Sequence, residues 1–191
     1  RDSWNEREDD FASVAYWYQT GPSKKFSTIP GAKDRKLPSL DIVVPAVTTQ
    51  DKQKHGKGEV TIQKDGLWLE YGQVFFIPAS AEEAWYEIPF EVAVREPRRL
   101  ILELTQSYDY GIYQVCVDGV KVGNPIDLYA DSTSVKECQI LDFWPEQGTH
   151  VVRLQHVGKS EKSSGDYLGI VSVRLRQRRP CVAEYGHDRD K

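Results

Sequence analysis

Tyr86-Glu87-Ile88-Pro89-Phe90-Glu91-Val92-Ala93-Val94 alternates from end to end: Tyr86, Ile88, Phe90, Val92 and Val94 are apolar, and Glu87, Glu91 and Ala93 stand between them. A side-chain repeat of two belongs to a β-strand with one buried face. Pro89 interrupts the run with a residue that has no N–H to donate, which predicts an edge position or a bulge.

The same pattern continues outward. Downstream, Arg98–Gln106 turns Leu100, Leu102 and Leu104 one way, and Ile112–Val117 runs into Asp118-Gly119 before Val120-Lys121-Val122. Asp-Gly between apolar runs predicts a tight hairpin, because such a turn needs positive φ at its centre. Further strands are expected at Ile126–Ala130, Val135–Phe143, His150–Val157 and Leu168–Arg176, and upstream at Glu59–Gln63 and Leu67–Glu70. Eight or nine strands with little room for helix predict an all-β fold. The expected architecture is an antiparallel two-sheet β-sandwich of jelly-roll type with an N-terminal extended arm. Ile88, Phe90, Val92, Leu102, Leu104, Val115, Val152 and Leu154 are expected in its core.

The boundaries follow from composition. Residues 1–57 read as an arm: a strand at Phe11–Gln19, which the resemblance given below implies is the end of an upstream domain, precedes a connection over 20–57 rich in Pro, Gly and Lys. Within it Leu37–Val47 holds either a short helix or an extended stretch. Residues 58–178 are the sandwich domain and 179–191 a polar tail. A start at Arg1 and the absence of Met read as a segment cut from a larger protein; that protein is expected to be secreted or periplasmic.

Composition restricts partners. With 39% hydrophobic and 28% charged residues the chain is of ordinary globular type and needs no metal or disulfide staple to fold. Its 25 basic residues are outnumbered by 29 acidic ones, which argues against nucleic acid as a partner. No apolar run approaches the roughly 20 residues of a spanning helix, so no membrane partner is expected. Cys116, Cys138 and Cys181 show no zinc-site spacing, so they predict no metal site. Cys116 and Cys138 read as strand thiols, with a disulfide between them left open.

No phosphate loop, nucleophile elbow or metalloprotease motif is present. His55, His150, His156 and His187 stand apart, and Glu82-Glu83 and Asp9-Asp10 read as solvated carboxylates rather than a hydrolytic pair. Trp85 and Trp144 read as core or rim aromatics. Two segments combine aromatic rings with polar groups, the combination that grips sugars. One is Ser107-Tyr108-Asp109-Tyr110-Gly111 and the other Gly158–Tyr167. They supply the candidate ligand-binding residues Tyr108, Asp109, Tyr110, Lys159 and Tyr167. No catalytic residue and no cofactor is expected.

The string Asp10-Phe11-Ala12-Ser13-Val14-Ala15-Tyr16-Trp17-Tyr18-Gln19 resembles the segment that closes the catalytic domain in a bacterial domain-of-unknown-function family. Its characterised relatives are difructose-dianhydride I synthase/hydrolase and exo-acting arabinofuranosidases, retaining glycoside hydrolases built from jelly rolls. Residues from about 85 onward resemble the sandwich that follows it, in Tyr110-Gly111-Ile112-Tyr113-Gln114-Val115, Asp118-Gly119, Ile126-Asp127-Leu128-Tyr129, Gly148-Thr149-His150, Gly158-Lys159-Ser160 and Tyr167-Leu168-Gly169-Ile170; sandwiches of this kind resemble carbohydrate-binding modules. The resemblance implies catalytic glutamates upstream of this chain. Related sugar-binding sandwiches carry an Asp, which helps hold calcium, where Val171 stands here; structural calcium is therefore not expected.

Three functions fit these residues. The first is a non-catalytic module that binds polysaccharide or oligosaccharide for an attached upstream glycoside hydrolase domain. The second is a structural or homo-oligomerisation sandwich without ligand. The third is a glycoside hydrolase domain in its own right.

Overall fold

The computed structural model describes residues 41–178. Its strands are β1 (Ile42–Pro45), β2 (Lys54–His55), β3 (Gly58–Gln63), β4 (Gln73–Pro78), β5 (Trp85–Val92), β6 (Arg98–Gln106), β7 (Ile112–Val117), β8 (Val120–Asp127), β9 (Ser134–Phe143), β10 (Gly148–Gly158) and β11 (Leu168–Gln177). One sheet runs β3-β4-β11-β6-β9 and the other β2-β5-β10-β7-β8. All pairings between named strands are antiparallel. β11 holds its sheet together: β6 covers one side, while β4 meets Leu168–Ile170 and β1 meets Ser172–Leu175 on the other.

This is the sandwich that the alternation predicts. All eight expected core residues are buried, and Tyr86, Phe76, Leu100, Tyr113 and Leu128 join them between the sheets. The even-numbered residues of β5 point inward and Trp85, Glu87, Pro89 and Glu91 outward. β2 covers only Tyr86 and Glu87, so Pro89 lies where β5 is an open edge. The Asp118-Gly119 hairpin forms with φ of 49° and 82°. Asp118 also ties it to β10, accepting the Val151 N–H at 2.9 Å and meeting His150 Nδ1 at 2.7 Å.

Several expectations are corrected. Leu67–Glu70 is no strand: Gly66–Trp68 forms a 3-10 turn that leaves Leu67 and Leu69 exposed, while the Trp68 indole donates to Thr105 Oγ1. The strand of that region is β4, whose Val74-Phe75-Phe76-Ile77 run is apolar on both faces and so shows no period. Val94 lies past the end of β5, in solvent. Ile126 does not begin a separate strand, because β8 continues from Val120 to Asp127 across a bulge in which the Gln114 amide donates to the Val122 and Gly123 carbonyls. Within the connection read over 20–57, β1 and β2 pair with sandwich strands, and 3-10 turns fill Ala46–Thr48 and Gln50–Lys52. The Phe11–Gln19 strand and Cys181 lie outside the described residues.

Candidate functional site

Three connections cross between the sheets at one end of the sandwich: 107–111 from β6 to β7, 128–133 from β8 to β9, and 159–167 from β10 to β11. They are laced together by backbone. Tyr108 O accepts the Ser164 N–H at 3.1 Å, Asp109 O the Tyr167 N–H at 3.1 Å, and Tyr167 O the Gly111 N–H at 3.2 Å. On the other flank Ser107 donates its N–H to Leu128 O and accepts that of Ala130. The buried Ser163 hydroxyl donates to Tyr110 O at 2.8 Å. Gly165 permits this approach, since a Cβ there would lie 2.8 Å from Asp109 O. The two loops nominated from sequence are thus neighbours, stitched along their main chains.

Their side chains divide into an outer and an inner set. Tyr108 is 57% exposed and Asp109 half-buried. Partial burial pushes the Asp109 carboxyl above the ordinary aspartate range, against hydrogen bonds from its own backbone N–H and from Ser107. Lys159 is exposed and has no hydrogen bond or ion pair among the described residues. Tyr110, by contrast, is 4% exposed. Its ring packs near Phe75, its hydroxyl interacts with Gln73, and burial followed by the Asp109 charge pushes its pKa well above the usual tyrosine value. Gln73 in turn accepts from Thr105 and donates to Gln63. Tyr110 therefore anchors the loop and offers no face to a ligand. Tyr167 is intermediate, set edge-on against Phe75 with centroids 5.6 Å apart.

The third connection, 128–133, was not singled out in the sequence, where it reads as the end of a strand. Tyr129 donates its hydroxyl to Asp131 at 2.6 Å and its N–H to Asp127 at 2.9 Å, and the Ser107 and Thr133 hydroxyls meet at 2.9 Å. Its signal is the inverse of that of the first loop, a tyrosine bracketed by carboxylates in Asp127-Leu128-Tyr129-Ala130-Asp131 where the first loop has a carboxylate bracketed by tyrosines.

The remaining candidates fall elsewhere. His150 stacks on Phe90 and His156 lies edge-on to Tyr113, with its Nε2 3.0 Å from Asp166. Glu82 accepts from Ser80, and Glu83 from the Lys57 N–H, in the turn before β5. Cys116 and Cys138 are buried free thiols on opposite sheets. Among the described residues no cluster of three His, Cys, Asp or Glu could hold a metal ion, and no helix is long and apolar enough to cross a membrane.

No family model and no curated protein matches the chain. Solved structures do match it. A Paenibacillus xanthan lyase matches 66% of the chain at 20% identity with a TM-score of 0.59, and the chain spans 12% of that protein. A family 35 carbohydrate-binding module from Clostridium thermocellum matches 71% of the chain and 98% of its own length, at 14% identity and a TM-score of 0.47. The CBM36-1 domain of a multidomain xylanase from the hindgut metagenome of Trinervitermes trinervoides matches 73% and 99%, at 11% identity and a TM-score of 0.48. At 20% identity the likeness to the xanthan lyase stretch is one of fold.

Proposed function

We propose that this chain is a non-catalytic carbohydrate-binding module, and that its ligand is held at the three-loop end of the sandwich. The observation that carries the reading is Tyr108, a ring 57% exposed yet mounted on a loop whose backbone is bonded on both flanks. Sugars are gripped by an apolar face and a few fixed polar groups, and a rigid mount lowers the entropy lost on binding. In this reading Tyr108 stacks against a sugar ring, Asp109 accepts hydrogen bonds from hydroxyls, and Lys159 and the Tyr129–Asp131 pair border the site. Tyr110 and Tyr167 hold the loop in place.

The fold is shared with a stretch of a protein named for its action on xanthan, in keeping with a sugar ligand. We infer, from the resemblance of residues 10–19 and of those after 85, that the module belongs to a secreted bacterial protein and follows a glycoside hydrolase domain that supplies the chemistry. One observation favours the alternative of a structural module: Ile62, Leu67 and Leu69 are exposed apolar side chains at and just after β3, suited to packing against another domain or copy.

Affinity electrophoresis of the full chain through gels containing soluble polysaccharides tests the proposal. One or more neutral glycans should retard the chain, and Tyr108→Ala should remove the retardation while the fold survives. Retardation unchanged by Tyr108→Ala would move the site away from these loops.

A further inference from the structure

The outward face of the five-stranded sheet carries a second ordered array of polar groups, set on strands rather than on the three loops. Antiparallel register sets directly opposed residues on the same face, and here it places Lys54, Glu87, Arg153, Cys116 and Lys121 in one row across β2, β5, β10, β7 and β8. The inward neighbours of that row, Tyr86, Ile88, Val152, Leu154, Val115 and Val117, are all buried, so the row faces out. The adjacent row is Trp85, Gln155 and Gln114.

Arg153 is clamped at the centre. Its guanidinium carbon lies 4.2 Å from the Trp85 ring centroid, Nη1 donates to Glu87 at 2.9 Å, and Nε and Nη2 donate to Gln155 at 3.2 and 2.8 Å. Those bonds use three of its five N–H groups, and the side chain keeps 34% of its surface open to solvent. Lys54 and Lys121 flank it, both exposed and both without a hydrogen bond or ion pair among the described residues. The row therefore holds three cations against one carboxylate, on a chain whose overall charge is −4. Glu91, the other outward carboxylate of β5, is engaged by the Thr149 hydroxyl at 2.7 Å.

The spacing is regular. Strands lie about 4.8 Å apart, so cations on every second strand recur at about 10 Å. An extended polysaccharide of equatorially linked sugars has a disaccharide repeat of comparable length. We propose that this face binds an anionic polysaccharide bearing a carboxylate on alternate sugars, its chain running across the strands. Lys54, Arg153 and Lys121 meet successive carboxylates. The uncharged sugars lie over Glu87, which accepts from their hydroxyls, and across β7, where Cys116 is buried and makes no contact with them. This goes beyond the loop-end reading and does not depend on it.

The test is affinity electrophoresis of the full chain at low ionic strength in three gels. These contain hyaluronan, whose uronate alternates with an uncharged sugar; polygalacturonate, with a carboxylate on every sugar; and hydroxyethylcellulose, with none. Hyaluronan should retard the chain most. The K54Q/K121Q double variant, altered only at exposed positions, should bind it roughly three- to tenfold more weakly with unchanged thermal unfolding, and about 0.5 M salt should abolish the retardation. Tyr108→Ala should leave hyaluronan binding intact. The proposal is overturned by no retardation in hyaluronan, by equal retardation in polygalacturonate, by an unaffected double variant, or by loss of hyaluronan binding in Tyr108→Ala. A failure of the loop reading shows separately, as neutral-glycan retardation that Tyr108→Ala leaves in place.

Discussion

Replacing Tyr108 and Tyr110 separately by Ala should give opposite outcomes, although the two are only two residues apart and read alike in the sequence. Tyr110 is 4% exposed, packs near Phe75, and joins its hydroxyl to the Gln73–Thr105–Gln63 network. Truncating a buried aromatic to Ala costs about 3–5 kcal/mol through lost transfer energy and the cavity left behind. For a folded unit of this size a loss of 1 kcal/mol lowers Tm by roughly 3–5 °C, so Tyr110→Ala should melt about 10–20 °C early. Tyr110→Phe isolates the hydroxyl and should cost about 1 kcal/mol. Tyr108, 57% exposed, has little packing to lose, and its truncation should change stability by no more than about 0.5 kcal/mol, or roughly 2 °C. Calorimetric melts of the three variants, paired with glycan retention per folded molecule, read both effects. Equal Tm losses for the two alanine variants, or a greater loss for Tyr108→Ala, would refute the assignment of anchor and platform.

Four other outcomes follow. Leu104, fully buried between the sheets, should cost about 2–5 kcal/mol on truncation to Ala, measured as a lower denaturant midpoint with unchanged slope. Gly119→Ala should cost about 1 kcal/mol, since φ there is 82° while no atom lies within 4 Å of the added Cβ; chemical denaturation measures it, and no loss would contradict the turn assignment. His150 has acceptors at both ring nitrogens, the Asp118 carboxylate and the Glu146 carbonyl; burial opposes its charge, but these partners outweigh it and raise the pKa. A raised pKa gives stability that is fully present below the ordinary histidine value of about 6.5 and is lost as pH climbs through the folded value. Tm should therefore fall across that window in the native chain and less so in His150→Gln. Cys116 and Cys138, buried and free, should react with a thiol reagent only after denaturation; rapid labelling of either in the native protein would count against the placement of β7 and β9.

The sequence discloses those parts of the fold where one face is wet and the other dry. β6 and β7 begin and end at the expected residues because their alternation is bounded by turn chemistry, and the hairpin after Val117 is announced by Asp118-Gly119. β4 is hidden for the opposite reason: Val74-Phe75-Phe76-Ile77 is apolar on both sides, since Phe75 packs beside Tyr110 and Tyr167 while Phe76 enters the core. Leu67 and Leu69 mimic a strand nearby, yet both point to solvent. β1 is too short to show a period, and its place comes from pairing with β11, which is far away in sequence.

At the candidate site, composition suffices to nominate the loops but not to orient their rings. A loop has no repeat, so nothing local distinguishes Tyr108 from Tyr110; the difference arises from Gln73 and Phe75 on β4, a strand the sequence conceals. The adjacency of 107–111 and 159–167 is likewise tertiary, set by the order of strands in two sheets. The cationic row on the five-stranded sheet needs the register of five strands at once.

The central claim is that the three-loop end of this sandwich binds sugar. An NMR titration of the isotope-labelled chain with the oligosaccharide form of whichever neutral glycan retards it tests this directly. The account predicts shifts confined to Tyr108, Asp109, Tyr129, Asp131, Lys159 and Ser164, all absent in Tyr108→Ala. Shifts centred elsewhere on the sandwich, or none with any oligosaccharide from a broad neutral panel, would contradict it.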